Sequence, residues 1–293
     1  MSEPRSVPSV LITGASTGIG QACALRLDHA GYHVFAGVRR PADAEALRAR
    51  ASPRLTPLLL DVTCADAIAR AVDTVAAATR GRLDALVNNA GVAVAGPLEH
   101  VPLAAFRRQL EVNVVGTLAV TQAMLPLLRP ARGRVVIVGS SNGRLVTPFS
   151  GPYCASKFAL EALADALRME LRPWGLAVVM VEPGAIQTPI WAKLQGDTGA
   201  AEAALPTAAQ ARYGPALAAV RRITERVVRM AGTPDKVADA VVHALAAPRP
   251  RTRYIVGADA RANVAMARWL PDRVRDALLT WAMGLPRRAP DEA

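Results

Sequence analysis

The chain has 293 residues, 52% of them hydrophobic and 20% charged, so it contains enough apolar material for a large core and too little charge for a disordered chain. Its formal net charge is +11, but the basic residues are spread along the whole chain and aromatic residues make up only 4%. Binding of nucleic acid needs clustered cations and interleaved aromatic side chains, so we expect no nucleic-acid partner.

Short apolar runs rich in β-branched residues alternate along the chain with longer stretches of helical period. We predict seven strands, at Val10 to Thr13, Tyr32 to Val38, Leu55 to Val62, Ala85 to Asn89, Arg134 to Ser140, Leu176 to Glu182 and Thr252 to Gly257. We predict helices at about Gly18 to Ala30, Ala42 to Arg50, Ala65 to Thr79, Leu103 to Leu128, Cys154 to Arg172 and Pro234 to Ala246. This alternation is typical of βα units around a parallel sheet, and the almost wholly apolar strands indicate helices on both faces. The sequence therefore predicts a single α/β domain with a doubly wound parallel sheet.

Two segments depart from this alternation. The stretch from Ile186 to Met230 is much longer than a simple crossover, and such insertions on a compact sheet usually bind ligands. From Asp259 the chain returns to amphipathic helix, with Trp269 and Trp281 among arginines. We therefore expect a dinucleotide-binding and catalytic domain over 1–258, with a substrate-loop insertion at about 186–230, and a C-terminal helical extension over 259–293. We expect the extension to pack on the domain or on a second subunit rather than on a membrane surface.

The first βα turn reads TGASTGIG at residues 13–20. Its glycines, Gly14, Gly18 and Gly20, permit a tight turn and a close approach of the backbone to a pyrophosphate. The helix that follows offers free N–H groups and the positive end of its dipole. This order of strand, glycine-rich turn and helix predicts that the chain binds a dinucleotide in a Rossmann-like fold.

The spacing G-x-x-x-G-x-G of this turn resembles that of the short-chain dehydrogenase/reductase family. Four further motifs fit the resemblance: DV at residues 61–62, NNAG at 88–91, YCASK at 153–157 and PG at 183–184. The resemblance covers roughly residues 7–257. The stretch YCASKFALE at residues 153–161 looks like that of the hydroxysteroid and retinol dehydrogenase branch.

The resemblance implies a set of cofactor contacts. Asp61 would contact the adenine amino group, Asn88 and Gly91 would line the ribose and pyrophosphate, and Thr188 would meet the nicotinamide amide. Together with the glycine-rich turn, these motifs assign cofactor binding to Gly14, Ser16, Thr17, Gly18, Ile19, Gly20, Arg39, Arg40, Asp61, Val62, Asn88, Ala90, Gly91, Tyr153, Lys157, Pro183, Gly184, Ile186 and Thr188.

The end of the second strand indicates which nicotinamide cofactor is bound. The strand ends in Val38-Arg39-Arg40, without the carboxylate that normally holds the adenine ribose of NAD. A guanidinium binds the additional phosphate of NADP through charge-assisted hydrogen bonds, whereas a carboxylate would repel it. We therefore expect NADP(H), with Arg39 as the main phosphate ligand and Arg40 as its helper. In the alternative, both arginines face solvent and the site accepts NAD(H) or both cofactors.

Tyr153 and Lys157 are four residues apart, so a helix places them on one face. Reduction of a carbonyl needs a proton for the developing alkoxide beside the hydride donor, and a phenol supplies one. A free tyrosine has a pKa near ~10. The ammonium of Lys157, together with the positive nicotinamide of the oxidised cofactor, favours the phenolate, so we expect a lowered pKa for Tyr153. We assign Tyr153 as the general acid and base.

Two further catalytic residues follow from the resemblance. The family places a serine thirteen positions before the tyrosine, which implies Ser140 as the hydrogen-bond donor to the substrate oxygen, with Ser141 as the alternative. Asn113 lies in a predicted helix although asparagine is a poor helix former, and a buried polar cap or a kink is one explanation. In the family, an asparagine in this N-x-x-G setting interrupts the helix and holds a water that links the lysine to solvent. The resemblance therefore implies that Asn113 completes a proton relay.

Apolar residues dominate the segments that we expect around the substrate, which favours a hydrophobic alcohol or ketone. The expected walls are the loop at Val92 to Gly96, the insertion, and the side chains of Arg144, Leu145, Val146, Phe149, Ile190, Trp191 and Leu194. Reduction of a 3-oxoacyl thioester is an alternative reaction, since arginines for a carrier phosphate are plentiful. A cofactor-sensing binding protein without chemistry is an alternative of another class, and the intact Ser140, Tyr153 and Lys157 argue against it.

Cysteine usage and the N-terminal residues indicate a reducing, cytoplasmic setting. Cys23, Cys64 and Cys154 are odd in number and widely spaced, so they predict neither a disulfide framework nor a metal site. Residues 1–9 lack the basic start and apolar run of a signal peptide, and no run of about 18 apolar residues occurs. Family members usually pair through the long helices, here at 103–128 and 154–172, so the resemblance implies a homodimer or homotetramer.

Overall fold

The computed structural model describes residues 7–192, 194, 199 and 205–285. Its strands form one sheet: β1 (Ser9–Ile12), β2 (His33–Val38), β3 (Leu55–Leu59), β4 (Ala85–Asn88), β5 (Arg134–Val138), β6 (Ala177–Pro183) and β7 (Arg253–Val256). The strand order is β3-β2-β1-β4-β5-β6-β7, and every neighbouring pair is parallel. The predicted Rossmann-like, doubly wound α/β fold is confirmed, and each predicted strand is present to within a few residues.

Helices flank this sheet on both faces. They include α1 (Gly18–His29), α2 (Pro41–Arg48), α3 (Ala65–Thr79), α4 (Leu103–Leu110), α5 (Gly116–Ala131), α6 (Gly151–Glu170), α7 (Thr207–Arg229), α8 (Pro234–Ala246), α9 (Ala258–Trp269) and α10 (Asp272–Ala282). The predicted helices at 65–79 and 234–246 have the bounds that the sequence pattern indicated.

Successive residues of β1 show why both faces are covered. Val10 and Ile12 lie in a buried cluster with residues of α1 and α8, whereas Leu11 lies in a second cluster with residues of α3, α5 and α6. Neighbouring side chains of a strand point to opposite faces, so an apolar strand needs a helical layer on each side. The strand order reverses between β1 and β4, and ligands of open α/β sheets bind at the carboxyl ends of the strands near such a point.

The long helix predicted at Leu103 to Leu128 is interrupted. The chain forms α4, then a π-helical turn at Glu111–Val115, then α5. Among the described residues, the combined segment Leu103–Ala131 is long and apolar enough to cross a membrane, but this is weak evidence because core helices pass the same test. Val120, Met124 and Leu128 of this segment are fully buried in the core. The cytoplasmic setting stays a prediction.

The insertion at about 186–230 contains α7, of which Ala216 and Leu217 are buried. Positions 193, 195–198 and 200–204 of the insertion and the tail at 286–293 lie outside the described residues. The C-terminal extension forms α9 and α10. Ala260 of α9 is fully buried, whereas Trp269 and Trp281 are 74% and 72% exposed.

Candidate active site

A cavity of about 850 Å³ opens at the carboxyl ends of the strands. It is lined by most of the residues assigned to the cofactor from the sequence: Gly14, Ser16, Thr17, Gly18, Ile19, Arg39, Asp61, Val62, Ala90, Gly91, Tyr153, Lys157, Pro183, Gly184, Ile186 and Thr188. Ser140 lines the same cavity. Parallel strands that end at one edge therefore bring together residues that are far apart in the sequence.

The glycine-rich turn leaves no room for side chains at its glycines. Gly14 has φ +67°, and a Cβ there would lie 2.8 Å from the Cα of Ala90. Gly18 has φ +58°, and a Cβ there would lie 3.0 Å from the side chain of Thr188. Gly20 packs against the carbonyl of Gly14, which any Cβ would overlap. The N-cap side chain of α1 makes no capping hydrogen bond, so the helix N-terminus suits an anion and the turn fits a pyrophosphate.

Thr13 and Asn89 hold the turn in this shape, and neither was predicted as a site residue. The Thr13 hydroxyl accepts hydrogen bonds from the backbone N–H groups of Asn89 and Ala90, each at 3.0 Å. The Asn89 side-chain amide donates to the carbonyls of Thr13 at 3.0 Å and Gly14 at 3.1 Å, and Asn89 lines the cavity. The signal was present in the sequence, because Asn89 belongs to the NNAG motif and Thr13 precedes the first glycine.

The side chain of Asn88 points toward α5. Its side chain is buried and donates from Nδ2 to the Thr121 hydroxyl of α5 at 2.8 Å. It is not among the residues that line the cavity. Asn88 is the last residue of β4 and points to the α5 face, so strand alternation turns the next residue toward the glycine-rich turn. The Asn88 side chain is therefore directed to α5 rather than to the glycine-rich turn, and its expected contact with the ribose and pyrophosphate stays a prediction.

Of the two arginines after β2, Arg39 lines the cavity and Arg40 does not. Arg40 donates to the Asp43 carboxylate from Nε at 2.9 Å and from Nη2 at 2.7 Å, on the exposed surface of α2. This paired geometry directs the Arg40 guanidinium to Asp43, and the helper role of Arg40 stays a prediction. Asp61 also lines the cavity and accepts a hydrogen bond from the Thr63 N–H. This hydrogen bond and, to a smaller extent, the charge of Arg39 lower the pKa of the Asp61 carboxyl.

Tyr153, Lys157 and Ser140 meet in one wall of the cavity. The Ser140 side chain lies close enough to the Tyr153 phenol to favour its phenolate and so to lower its pKa. The Lys157 Nζ lies 5.7 Å from the centre of the Tyr153 ring and donates to the Val138 carbonyl at 3.0 Å. The Ser141 hydroxyl instead accepts from an asparagine amide of α9 at 3.2 Å. Ser140 is therefore the serine that lies beside the phenol.

The pKa values of this pair follow burial. Burial raises the pKa of the Tyr153 phenol to about 12, and Ser140 opposes this rise only in part. Burial also lowers the pKa of Lys157 to about 8, and the Glu161 carboxylate opposes that decrease. Among the protein's own groups, desolvation by burial is the largest contribution to both pKa shifts. The expected lowering of the pKa of Tyr153 relies on the positive nicotinamide of the oxidised cofactor as well as on Lys157, and it stays a prediction for the protein with bound cofactor.

Asn113 lies in the π-helical turn, where the predicted interruption of the helix occurs. Its buried side chain accepts from the Val92 N–H at 2.9 Å and donates to the Val92 carbonyl and the Ser156 hydroxyl, each at 3.0 Å. Gln109, which was not predicted, also donates to the Val92 carbonyl, at 2.7 Å. These two amides fasten the loop after β4 to α6. The hydrogen bonds of the Asn113 side chain thus go to this loop and to α6 rather than to Lys157.

The C-terminal extension holds the loop that follows β6. Asp259 of α9 accepts a hydrogen bond from the Ala185 N–H at 2.6 Å. Its carboxylate packs so closely against Gly184 and Gly257 that a side chain on either glycine would overlap it. The same loop leads to Thr188, which lines the cavity. The extension therefore supports the predicted nicotinamide-side loop, a role that the sequence pattern did not reveal.

Apolar side chains form the rest of the cavity. They come from the loop after β4, from the residues around the start of α4 and from the insertion, and include Val92, Val94, Pro97, Val101, Ile190, Trp191, Leu205 and Leu217. His100 and Arg108 add polar groups. Residues expected in the wall that do not line it are Arg144, Leu145, Val146, Phe149 and Leu194. The 3₁₀ turn at Ser141–Gly143 leads the chain away from the cavity, so Leu145 is buried in the interior and Arg144 pairs with buried carboxylates.

Comparison with known proteins agrees with this geometry. The model of the short chain dehydrogenase family matches residues 8–199. The chain is 42% identical to retinol dehydrogenase 5 of Mus musculus, over 98% of this chain and 92% of that protein. A short-chain dehydrogenase from Streptomyces avermitilis has a TM-score of 0.75 and 31% identity, with 96% of this chain and 97% of that chain covered. A short chain dehydrogenase from Burkholderia cenocepacia, solved in complex with NADP, has a TM-score of 0.71 and 25% identity, with 96% and 99% covered.

The family match covers β1 to β6, the glycine-rich turn and the catalytic wall, and it ends before β7. The fold agrees along nearly the whole chain. The alternative of a binding protein without chemistry is set aside by the dehydrogenases among which the chain falls. The chain therefore belongs to the short-chain dehydrogenase/reductase family, in its retinol dehydrogenase-like branch, and is an oxidoreductase that acts on CH–OH groups with a nicotinamide cofactor.

Proposed function

We propose that the protein interconverts a hydrophobic alcohol and its ketone or aldehyde with NADP(H), and that Tyr153 is the general acid and base. The observation that carries this proposal is the meeting of Ser140, Tyr153 and Lys157 in one wall of the cavity that Arg39 and the glycine-rich turn also line. The apolar wall beyond the catalytic residues favours a hydrophobic substrate. The name of the mouse relative, a retinol dehydrogenase, supports the same class of alcohol.

The side chains of the catalytic wall account for the proton transfer. When bound, the nicotinamide ring supplies or takes up the hydride. In the reductive direction, Ser140 donates a hydrogen bond to the substrate oxygen, and Tyr153 transfers its phenolic proton to that oxygen. The Lys157 ammonium beside the ring stabilises the resulting phenolate. In the oxidative direction, the Tyr153 phenolate removes the hydroxyl proton. We further assign Asn113 to a water-linked relay that exchanges protons between Lys157 and solvent.

We assign the preference for NADP(H) to Arg39, because its guanidinium lines the cavity at the end of β2. Use of NAD(H) is the alternative outcome. The solved relative with bound NADP supports the preference. The long helices α4, α5 and α6 are the surfaces through which we expect a homodimer or homotetramer, and light scattering on the purified protein tests this.

The proposed reaction is tested on purified protein with NADPH or NADP⁺ and a panel of steroid, retinoid and 3-oxoacyl thioester substrates, with products identified by chromatography. We expect Tyr153→Phe to lower kcat by about 10²–10⁴-fold and to leave the Kd for NADPH unchanged, since general acid–base catalysis contributes that much. Ser140→Ala should lower kcat, and Ser141→Ala is its matched control. Turnover of Tyr153→Phe at the parent rate would contradict the mechanism, and a preference for the thioester would replace the substrate class.

A further inference from the structure

Behind the catalytic wall, Arg144, Glu161, Glu182 and Arg253 form a charged cluster, in which the two carboxylates are buried and the two guanidinium groups are partly exposed. The Nη2 of Arg144 lies 2.9 Å from Glu161 Oε2 and 3.2 Å from Glu182 Oε1. Arg253 reaches the same two oxygens, at 3.1 Å and 3.2 Å. The Glu182 side chain is fully buried, and the Glu161 side chain is 11% exposed. Two guanidinium groups therefore share two buried carboxylates.

The cluster joins three segments that carry the active site. Glu161 is one helical turn after Lys157 on α6, and Glu182 lies near the end of β6, just before the nicotinamide-side loop. Arg144 follows the 3₁₀ turn that begins immediately after Ser140. The turn fits closely on α6, because a Cβ at the glycine before Arg144 would lie 3.0 Å from the Lys157 carbonyl and 3.2 Å from the Cγ of Glu161.

Stability alone does not account for this cluster. Replacing a buried ion pair by apolar side chains of similar volume is often neutral or stabilising, because taking the charges out of water costs more than their attraction returns. Among the described residues, Glu161 Oε1, Glu182 Oε2 and Arg144 Nε are buried and have no hydrogen-bond partner, and each such atom adds to that cost.

Glu161 is the member of the cluster that shares a helix face with Lys157, because the two residues are four positions apart on α6. It opposes the lowering of the pKa of Lys157 by burial. Burial raises the pKa of Glu161 itself to about 7, with a further contribution from Glu182 and with Arg144 and Arg253 acting against the rise. By opposing the rise in the pKa of Glu161, the two arginines favour its ionised carboxylate beside Lys157. The titratable and charged groups that face this pair are Tyr153 and Asp165 on α6, Arg144 after β5, Glu182 on β6 and Arg253 on β7.

We propose that Glu161 is a positioning residue that keeps the Lys157 ammonium charged, and that Arg144 and Arg253 hold its carboxylate in place for this purpose. A neutral Lys157 does not stabilise the Tyr153 phenolate, so Glu161 sets the upper pH limit of turnover. Only this last consequence rests on the proposed function. The charge of Lys157 is measurable without substrate or cofactor.

The composition of the chain allows a direct measurement. The sequence has three lysines, Lys157, Lys193 and Lys236, so a protein labelled with ¹³C at the lysine ε-carbons gives three NMR signals. Lys157→Met assigns the signal of Lys157, and its chemical shift is followed from pH 6 to pH 11. In Glu161→Gln we expect the pKa of Lys157 to fall by about one unit relative to the parent. The high-pH limit of kcat should move down by the same amount.

Asp165→Asn is the matched control. Asp165 also pairs with Arg253, at 2.8 Å, but lies one helical turn farther from Lys157 and is partly exposed. This variant should leave the titration of Lys157 unchanged. The double variant Glu161→Gln with Arg144→Met removes one charge of each sign and guards against loss of folding in the single variant. Its Lys157 signal should also titrate at a lower pH than in the parent.

Two results would overturn the inference. One is an unchanged titration of Lys157 in Glu161→Gln, or in the double variant if the single variant does not fold. The signal of the exposed Lys236 and the Tm show whether each variant is folded. The other is an equal shift in Asp165→Asn. Either result leaves the proposed function intact, whereas absence of turnover in the parent would contradict the proposed function and leave the NMR result standing.

Discussion

Removal of the Arg39 guanidinium should weaken the binding of NADPH far more than that of NADH. Hydrogen bonds to charged groups contribute about 1.5–3 kcal/mol each, and an arginine that is open to solvent belongs in the lower half of that range, at about 1.5–2 kcal/mol. Since about 1.4 kcal/mol corresponds to a factor of ten in Kd, Arg39→Ala should raise the Kd for NADPH roughly 10–30-fold. NADH lacks the phosphate that Arg39 would contact, so its Kd should change less than about 2-fold.

The assay is isothermal titration calorimetry with each cofactor on the parent, Arg39→Ala and Arg40→Ala. Arg40 is the matched control, because it is the next residue along the chain and its guanidinium is occupied by Asp43 outside the cavity. Arg40→Ala should bind both cofactors like the parent. Equal weakening of NADPH and NADH in Arg39→Ala would refute the assignment, and so would a loss of NADPH affinity in Arg40→Ala as large as that in Arg39→Ala.

Three other variants test the remaining parts of the site. Gly20→Ala should abolish detectable cofactor binding because its Cβ would overlap the backbone of the glycine-rich turn, whereas Gly214→Ala, where a Cβ meets nothing within 4 Å, should bind like the parent. Asp259→Ala should raise the Kd for NADPH by about 3–10-fold, because the Ala185 N–H loses its partner and the loop after β6 loosens; an unchanged Kd would show that the extension has no part in cofactor binding. Lys157→Met should increase the free energy of unfolding at pH 7, since the pKa of Lys157 is lowered from 10.5 to about 8 in the folded protein and the unfolded chain binds more protons between these values. The gain, on the order of 2–3 kcal/mol below pH 8, should disappear as the pH rises toward 10.5, and urea unfolding that showed a larger gain at pH 10 than at pH 7 would contradict this.

Much of the fold follows from the sequence because its signals are local and repeated. Each β-branched run between helical stretches specifies one strand, and the apolar character of the runs requires helices on both faces. The glycine-rich turn is equally local, since the three positions need either a positive φ or a backbone contact that excludes a side chain. These constraints act on residues that are adjacent in the chain, so a pattern of residue types is enough to recognise them.

The departures arise where two neighbouring residues of the same type face different surroundings. Asn88 and Asn89 are the same residue type, but β4 ends at Asn88. The Asn88 side chain therefore points to α5, and the Asn89 side chain points to the glycine-rich turn. Arg39 and Arg40 are also the same residue type, but Arg40 forms an ion pair with the carboxylate of Asp43, three residues later. This pair depends on the formation of α2, which contains Asp43. Residue type predicted the chemistry of both pairs, whereas the direction of each side chain depends on packing.

The pKa values of Tyr153 and Lys157 likewise depend on packing and could not be predicted from their spacing in the sequence. A phenol and an ammonium four residues apart indicate attraction, and from spacing alone the pKa of the phenol should fall. The folded chain places both groups in an apolar wall, where desolvation disfavours each charged form, so the pKa of Tyr153 rises to about 12 and that of Lys157 falls to about 8. An ammonium with so low a pKa needs a counter-charge to remain an effective partner at neutral pH. The candidate is Glu161, one turn along α6, and its own charge depends on Arg144 after β5 and Arg253 of β7.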